Sequence, residues 1–228
     1  MIEITFNKTS FLILGAIFML LVAAAAQAGV VGSKHDLTSA TGASPYKTTG
    51  TNEVCVFCHT PHAATASAPL WNRNVSAAGY TMYNSSNSAT MDMTAAAAPH
   101  GVSAVCLSCH DGTVAFDSLV NKPGSGTGIP SGWTWNAAGN TMTVATSPLS
   151  SLGVDLTNDH PISVTYDAAQ DPAFVTPVSG AVNGLPLFGA SKNQVECSSC
   201  HNVHDNANAP FLRTSNGGSA LCLKCHIK

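Results

Sequence analysis

Hydrophobic residues run together in only one place. Phe11 to Val22 is almost purely apolar; it follows a short polar opening containing Lys8 and leads through Ala-rich sequence to Ala26-Gln27-Ala28. An apolar stretch of this kind ending in small residues reads as an export signal. Residues 1–28 are therefore expected to be a signal peptide, and residues 29–228 the mature, secreted chain, folded as a single domain. The run is too short for a comfortable membrane span, and no later segment approaches the ~20 apolar residues that a span needs. After it the pattern breaks up. Ile162-Ser163-Val164-Thr165-Tyr166 alternates as a short strand. Trp133-Thr134-Trp135 and Thr141-Met142-Thr143-Val144, on either side of Ala137-Ala138-Gly139-Asn140, read as a small hairpin. Gly124-Ser125-Gly126-Thr127-Gly128 with Pro130 reads as a loop.

Composition sharpens this picture. Charged residues make up 9% of the chain and aromatics 7%, while Ser, Thr, Asn, Gly and Ala abound. Such a chain struggles to build a side-chain core that outweighs its conformational entropy. Either it is partly disordered, or something other than side chains fills its interior. With 9 Lys+Arg against 12 Asp+Glu it has no basic face for nucleic acid.

The cysteines decide between these alternatives. All eight fall into four pairs, Cys55/Cys58, Cys106/Cys109, Cys197/Cys200 and Cys222/Cys225, each followed at once by His59, His110, His201 or His226. Four Cys-x-x-Cys-His motifs with no cysteine left over point to four covalently attached c-type haems. Two thiols at this spacing add across the two vinyl groups on one porphyrin edge, and the adjacent imidazole reaches the iron. A disulfide framework or a zinc site of paired cysteines does not explain why every pair is followed by histidine. Each motif reads as a brief helix. Thr51 or Asn52, Ser103, Ser191 or Asn193, and Ser215 or Asn216 stand ahead as N-caps, with Glu53 and Glu196 adding charge near two of the starts. Pro61, Gly112 and Pro210 interrupt the chain beyond the first three motifs and keep those helices short. The expected fold has few secondary structures. It is a loop-rich multihaem cytochrome c wrapped around four haems, with short helices at the motifs and one or two short hairpins.

A haem iron with one protein imidazole keeps one axial position, and its occupant decides between electron transfer and chemistry. Five further histidines are available: His35, His62, His100, His160 and His204. Supply exceeds demand by one, so all four haems read as bis-histidine and closed. His62 follows His59 by three residues and His204 follows His201 by three. Residues three apart on a helical turn lie about 5–6 Å apart on one face, so they cannot grip opposite faces of one porphyrin. His62 and His204 are expected on neighbouring haems, in reciprocal exchange. His160, in Asn158-Asp159-His160-Pro161, is a further ligand that Asp159 or a backbone carbonyl could orient. His35 lies near the mature terminus, on a tip able to reach roughly 20 Å, and can serve its own chain or a neighbour. His100, in the turn Pro99-His100-Gly101, is the spare. Met82, Met91, Met93 and Met142 are rival distal ligands, read instead as packing residues.

Lys34-His35-Asp36-Leu37, Cys58-His59-Thr60-Pro61-His62, Ala68-Pro69-Leu70-Trp71-Asn72-Arg73, Cys109-His110-Asp111-Gly112-Thr113 and Asn158-Asp159-His160-Pro161-Ile162 occur in this order. Together they resemble the tetrahaem outer-surface cytochromes, the OmcE-like family, which polymerise into extracellular conducting filaments. The resemblance covers most of the mature chain. It implies bis-histidine haems in a continuous chain, His35, His62, His160 and His204 as the distal set, and a histidine donated across the subunit boundary. His35 is the natural donor in such a contact. The implied partners are further copies of the chain, head to tail, together with other redox proteins or extracellular acceptors. The expected function is electron transfer without catalysis, at the cell surface or beyond it. A soluble periplasmic shuttle is the alternative; a multihaem reductase, which needs an open haem, is disfavoured by the surplus of histidines.

Overall fold

Each Cys-x-x-Cys-His segment closes into one helical turn, because the histidine N–H reaches back to the carbonyl of the first cysteine. His59 donates to Cys55 at 2.8 Å, His201 to Cys197 at 3.0 Å and His226 to Cys222 at 3.0 Å. In the computed structural model, which describes residues 29–124, 132–133, 139–143 and 150–227, these turns are most of the regular structure. The first motif lies on a 3-10 turn, Val54–Phe57. The second forms the end of α1, Gly101–His110. The third is α2, Cys197–Cys200, and the fourth is a 3-10 turn, Cys222–Lys224, preceded by another at Gly217–Ser219.

The motifs depart from the expected capping: Glu53, and not Thr51 or Asn52, stands at the N-cap of the first, and Leu221, and not Ser215 or Asn216, at that of the fourth motif's own turn. Ser103 lies inside α1, which begins two residues earlier with His100 at its N-cap; its hydroxyl donates to Glu196 instead. At α2 the cap is Glu196 itself, in a reciprocal capping box with Ser199, and not Ser191 or Asn193. A carboxylate satisfies the exposed N–H groups of a first turn as well as a hydroxyl does.

Two small antiparallel ladders complete the inventory among the described residues. β1 (Val164–Thr165) pairs with β4 (Gln194–Val195), Val164 opposite Val195. This strand falls within the alternating stretch read from the sequence. β2 (Ala181–Val182) and β3 (Leu185–Pro186) form a hairpin around Asn183 and Gly184, both at positive φ. That is the Asn-Gly type that suits a two-residue turn, a signal the sequence reading passed over. The hairpin expected at 133–144 lies mostly outside the described residues; Trp133 bridges Thr48 instead. The Gly-rich loop and the proposed signal segment also lie outside them. Few helices, short hairpins and long loops make up the fold, as expected.

The apolar interior is three clusters, each against a motif. Leu37, Tyr46, Phe57, Phe116, Leu119 and Met142 pack with Cys58 and Cys109. Met93, Val164, Tyr166, Val182 and Leu187 pack with Cys225. Met82, Leu107 and Leu156 surround the middle of α1. Burying a residue such as Phe57 or Leu107 contributes about 1.5–3 kcal/mol, so each cluster is a modest anchor. Met82, Met93 and Met142 all sit inside these clusters.

Polar networks hold the loops between them. Asn72, fully buried, donates through Nδ2 to Val56 O and Asn121 O, both at 2.7 Å, and accepts Asn121 N–H at 2.7 Å. It ties the first motif to the chain beyond α1. Asp36 gathers Gly32 N–H, Thr38 N–H and the hydroxyls of Thr38 and Thr41. Burial opposes its charge, but these hydrogen bonds outweigh that and hold its pKa below the usual carboxylate range. The loop carrying His35 is fixed by this hub. At Gly42 a Cβ would lie 2.1 Å from the Asp36 carbonyl oxygen, so the loop closes only over glycine.

Candidate haem-binding site

Three motif histidines face a second imidazole from elsewhere in the chain. The ring centroids of His59 and His204 lie 6.0 Å apart, with planes 21° from parallel. His110 and His35 stand 6.1 Å apart at 62°. His226 and His160 stand 6.4 Å apart at 79°. Two metal–nitrogen bonds of about 2 Å, plus about 1 Å from each nitrogen to its ring centre, ask for roughly 6 Å between centroids. The pairs fit an iron held between two imidazoles.

Backbone carbonyls orient the rings. His110 Nδ1 donates to Ser150 O at 2.7 Å, His160 Nδ1 to Pro161 O at 3.0 Å and His201 Nδ1 to Pro210 O at 3.0 Å. A carbonyl only accepts, so Nδ1 carries the proton and Nε2 keeps its lone pair for a metal. For His160 the orienting group is therefore a carbonyl, not Asp159. His35 packs on Phe211, centroids 4.5 Å apart, with its Nδ1 buried and unpartnered. Burial first, then the neighbouring His110, His201 and His204, lower its pKa to about 4. Burial also lowers His110. Both rings are thus kept in the neutral form that ligates.

The remaining three histidines make no ring contact with another imidazole among the described residues, although His201 lines the same cavity as His35 and His110. His35, expected as the residue reaching into another copy, faces His110 of its own chain. His204 faces the first motif and not its own, but the reciprocal half of that exchange is not assembled. His62 is exposed, and among the described residues it faces no imidazole. Neither does His201. His100 instead places Nδ1 3.0 Å from Glu196 Oε1.

The cysteines are all free. Burial pushes Cys58 up to about 12 and Cys225 up to about 11. Cys106 and Cys197, from different motifs, share a thiol–thiol hydrogen bond, which together with burial raises Cys106. The second and third motifs therefore touch. Among the described residues no group of three or more His, Cys, Asp or Glu side chains gathers around a bare metal site. A cavity of about 390 Å³ lies between His35 and His110, lined by Cys58, Cys106, Cys109 and Phe116. A more open depression of about 610 Å³ lies over Cys55, His59 and His62. Apolar-walled hollows beside paired thiols and facing imidazoles suit a planar macrocycle held by thioether bonds.

Residues 190–228, which hold the third and fourth motifs, match the doubled CXXCH motif family. No match to a curated protein was found. The doubled motif indicates a multihaem c-type cytochrome, with covalently bound haem and iron, whose work is electron transfer. No helix among the described residues is long and apolar enough to cross a membrane. Two charged residues of the site escaped sequence reading as a pair: Arg73 and Glu196, both buried. Glu196 was visible only as a charge near a cap, and Arg73 only inside the Trp71-Asn72-Arg73 segment.

Proposed function

We propose that the chain carries four haems, one on each motif, and passes electrons through them as a non-catalytic subunit of an extracellular head-to-tail filament. The observation that carries this reading is the histidine count in space. Three motif imidazoles face a second imidazole of the same chain, which leaves substrate no axial position there. The fourth, His201, and the exposed His62 are left over together. Haem supplies a reversible one-electron iron centre; the chain's own part is to close the axial positions and hold the centres near one another. In this reading His62 of one copy serves the His201 centre of the next, taking the role expected of His35. A contact between two different surfaces that does not close on itself generates a helical polymer. Other redox proteins or extracellular acceptors would exchange electrons with its ends.

The test is electron microscopy of material shed by cells producing the wild type, His62→Ala or His35→Ala. Filaments are expected for the wild type and for His35→Ala, with only unassembled protein for His62→Ala. Intact His62→Ala filaments would sink the assignment. A second reading, a reductase with one accessible iron, is favoured by His201 facing no imidazole among the described residues; a soluble periplasmic shuttle would keep the same closed haems without the polymer. The reductase would be recognised by a monomeric wild type with one high-spin haem.

A further inference from the structure

Two of the most deeply buried side chains are charged and belong to none of the imidazole pairs: Arg73, 1% exposed, and Glu196, 2% exposed. Arg73 donates through Nη1 to Phe116 O at 2.8 Å, and through Nη2 to Ala115 O at 2.7 Å and Ser108 O at 3.3 Å. Its buried Nε has no partner, and among the described residues no carboxylate pairs with it. Arg73 lines the cavity of about 390 Å³ together with Cys58, and the N–H of the adjacent Asn72 donates to Cys58 O at 2.9 Å, which ties this segment to the first motif.

Glu196 is its opposite near the start of α1, whereas Arg73 reaches Ser108 near the end of that helix. It directly precedes Cys197 of the third motif and accepts from the Ser103 hydroxyl and, at 3.0 Å, from the Ser163 hydroxyl. Its charge is felt at the Cys197 thiol. The one titratable group in ion-pair contact with it among the described residues is His100, with Nδ1 3.0 Å from Oε1.

Burying an ion without a full counter-ion is costly, and either role as a hydrogen-bond anchor could be met at lower cost by neutral groups. What neutral groups cannot supply is field. A fixed charge in a low-dielectric interior acts strongly on nearby charge, and net charge around a haem sets its reduction potential. A cation favours the added electron and raises the potential; an anion lowers it.

We propose that Arg73 and Glu196 are potential-setting residues of opposite sign, holding the haem on the first motif above the haem on the third in reduction potential. Electrons arriving at the third motif then run downhill toward the first. This deepens, and rests on, the reading of the chain as a haem-to-haem conduit.

The test is a potentiometric titration of the purified haem protein at about pH 8, above the usual imidazole range. Intact mass and the low-spin absorption spectrum first establish haem number and ligation in each variant. Glu196→Gln, nearly isosteric, is expected to raise the low end of the titration. Arg73→Gln is expected to lower the high end, and Arg73→Lys to keep it. Paramagnetic NMR should assign the shifted components to the third and first motifs respectively. A wild type without attached haem would overturn the conduit reading itself. Fully haem-loaded variants whose titrations superimpose on the wild type would overturn the charge proposal alone. Should Arg73→Gln not accumulate, Glu196→Gln decides, and an unmoved low end rejects the proposal.

Discussion

The rings of His110, His160 and His201 show how little each residue leaves to chance: a backbone carbonyl accepts from Nδ1–H and leaves Nε2 with its lone pair free. His35 has no such anchor. It is held by burial, by the Phe211 edge and by the Asp36 hub beside it. His35→Ala should therefore leave all four haems attached while converting one of them from low to high spin. Intact mass checks the first part and electron paramagnetic resonance the second; four low-spin haems would contradict the pairing with His110. Asn72 offers a stability counterpart. Asn72→Ala leaves the part-buried Val56 and Asn121 backbone groups without this partner, at up to about 1–3 kcal/mol in all. A clearly lowered denaturation midpoint is expected, with an unchanged haem count.

At the scale of elements, the one-turn motifs were legible because their geometry is local: a hydrogen bond from histidine to the first cysteine needs nothing from the rest of the chain. The Asn183-Gly184 hairpin was equally local and equally legible in principle. Two glycines at similar φ separate conformation from space. Gly112, at φ +75 after α1, would place a Cβ 2.4 Å from Met142 O, whereas Gly184, at φ +87, has nothing within 4 Å. Gly184→Ala should cost only the left-handed backbone penalty of about 1–2 kcal/mol. Gly112→Ala adds a backbone clash that cannot be relieved by a side chain turning away, so its loss of stability should be the larger. Urea denaturation of the two variants checks the order; equal midpoints would mean the segment near Met142 yields freely.

For the whole molecule, three small clusters against four motifs do not amount to one continuous core. Loops with few ladders leave the burden of cohesion to what the motifs bind. A form with the eight cysteines replaced by serine should lack a cooperative thermal transition and show weak near-ultraviolet circular dichroism. A sharp calorimetric peak from that form would show that the polypeptide folds by itself.

The sequence alone determined the attachment chemistry, since thiols and imidazole share one turn whose geometry follows from spacing, and it implied a loop-rich fold from a composition too poor in apolar bulk for anything else. It bounded the distal ligands to five histidines but could not pair them. Pairing joins residues far apart in the chain, such as His59 with His204, and depends on loop paths set by polar hubs like Asp36 and Asn72. Only the tertiary structure turned His35 to His110, left His62 and His201 without a facing imidazole among the described residues, and buried Arg73 and Glu196 near opposite ends of α1. Each of these depends on which loops pack together, and no local spacing carries that information.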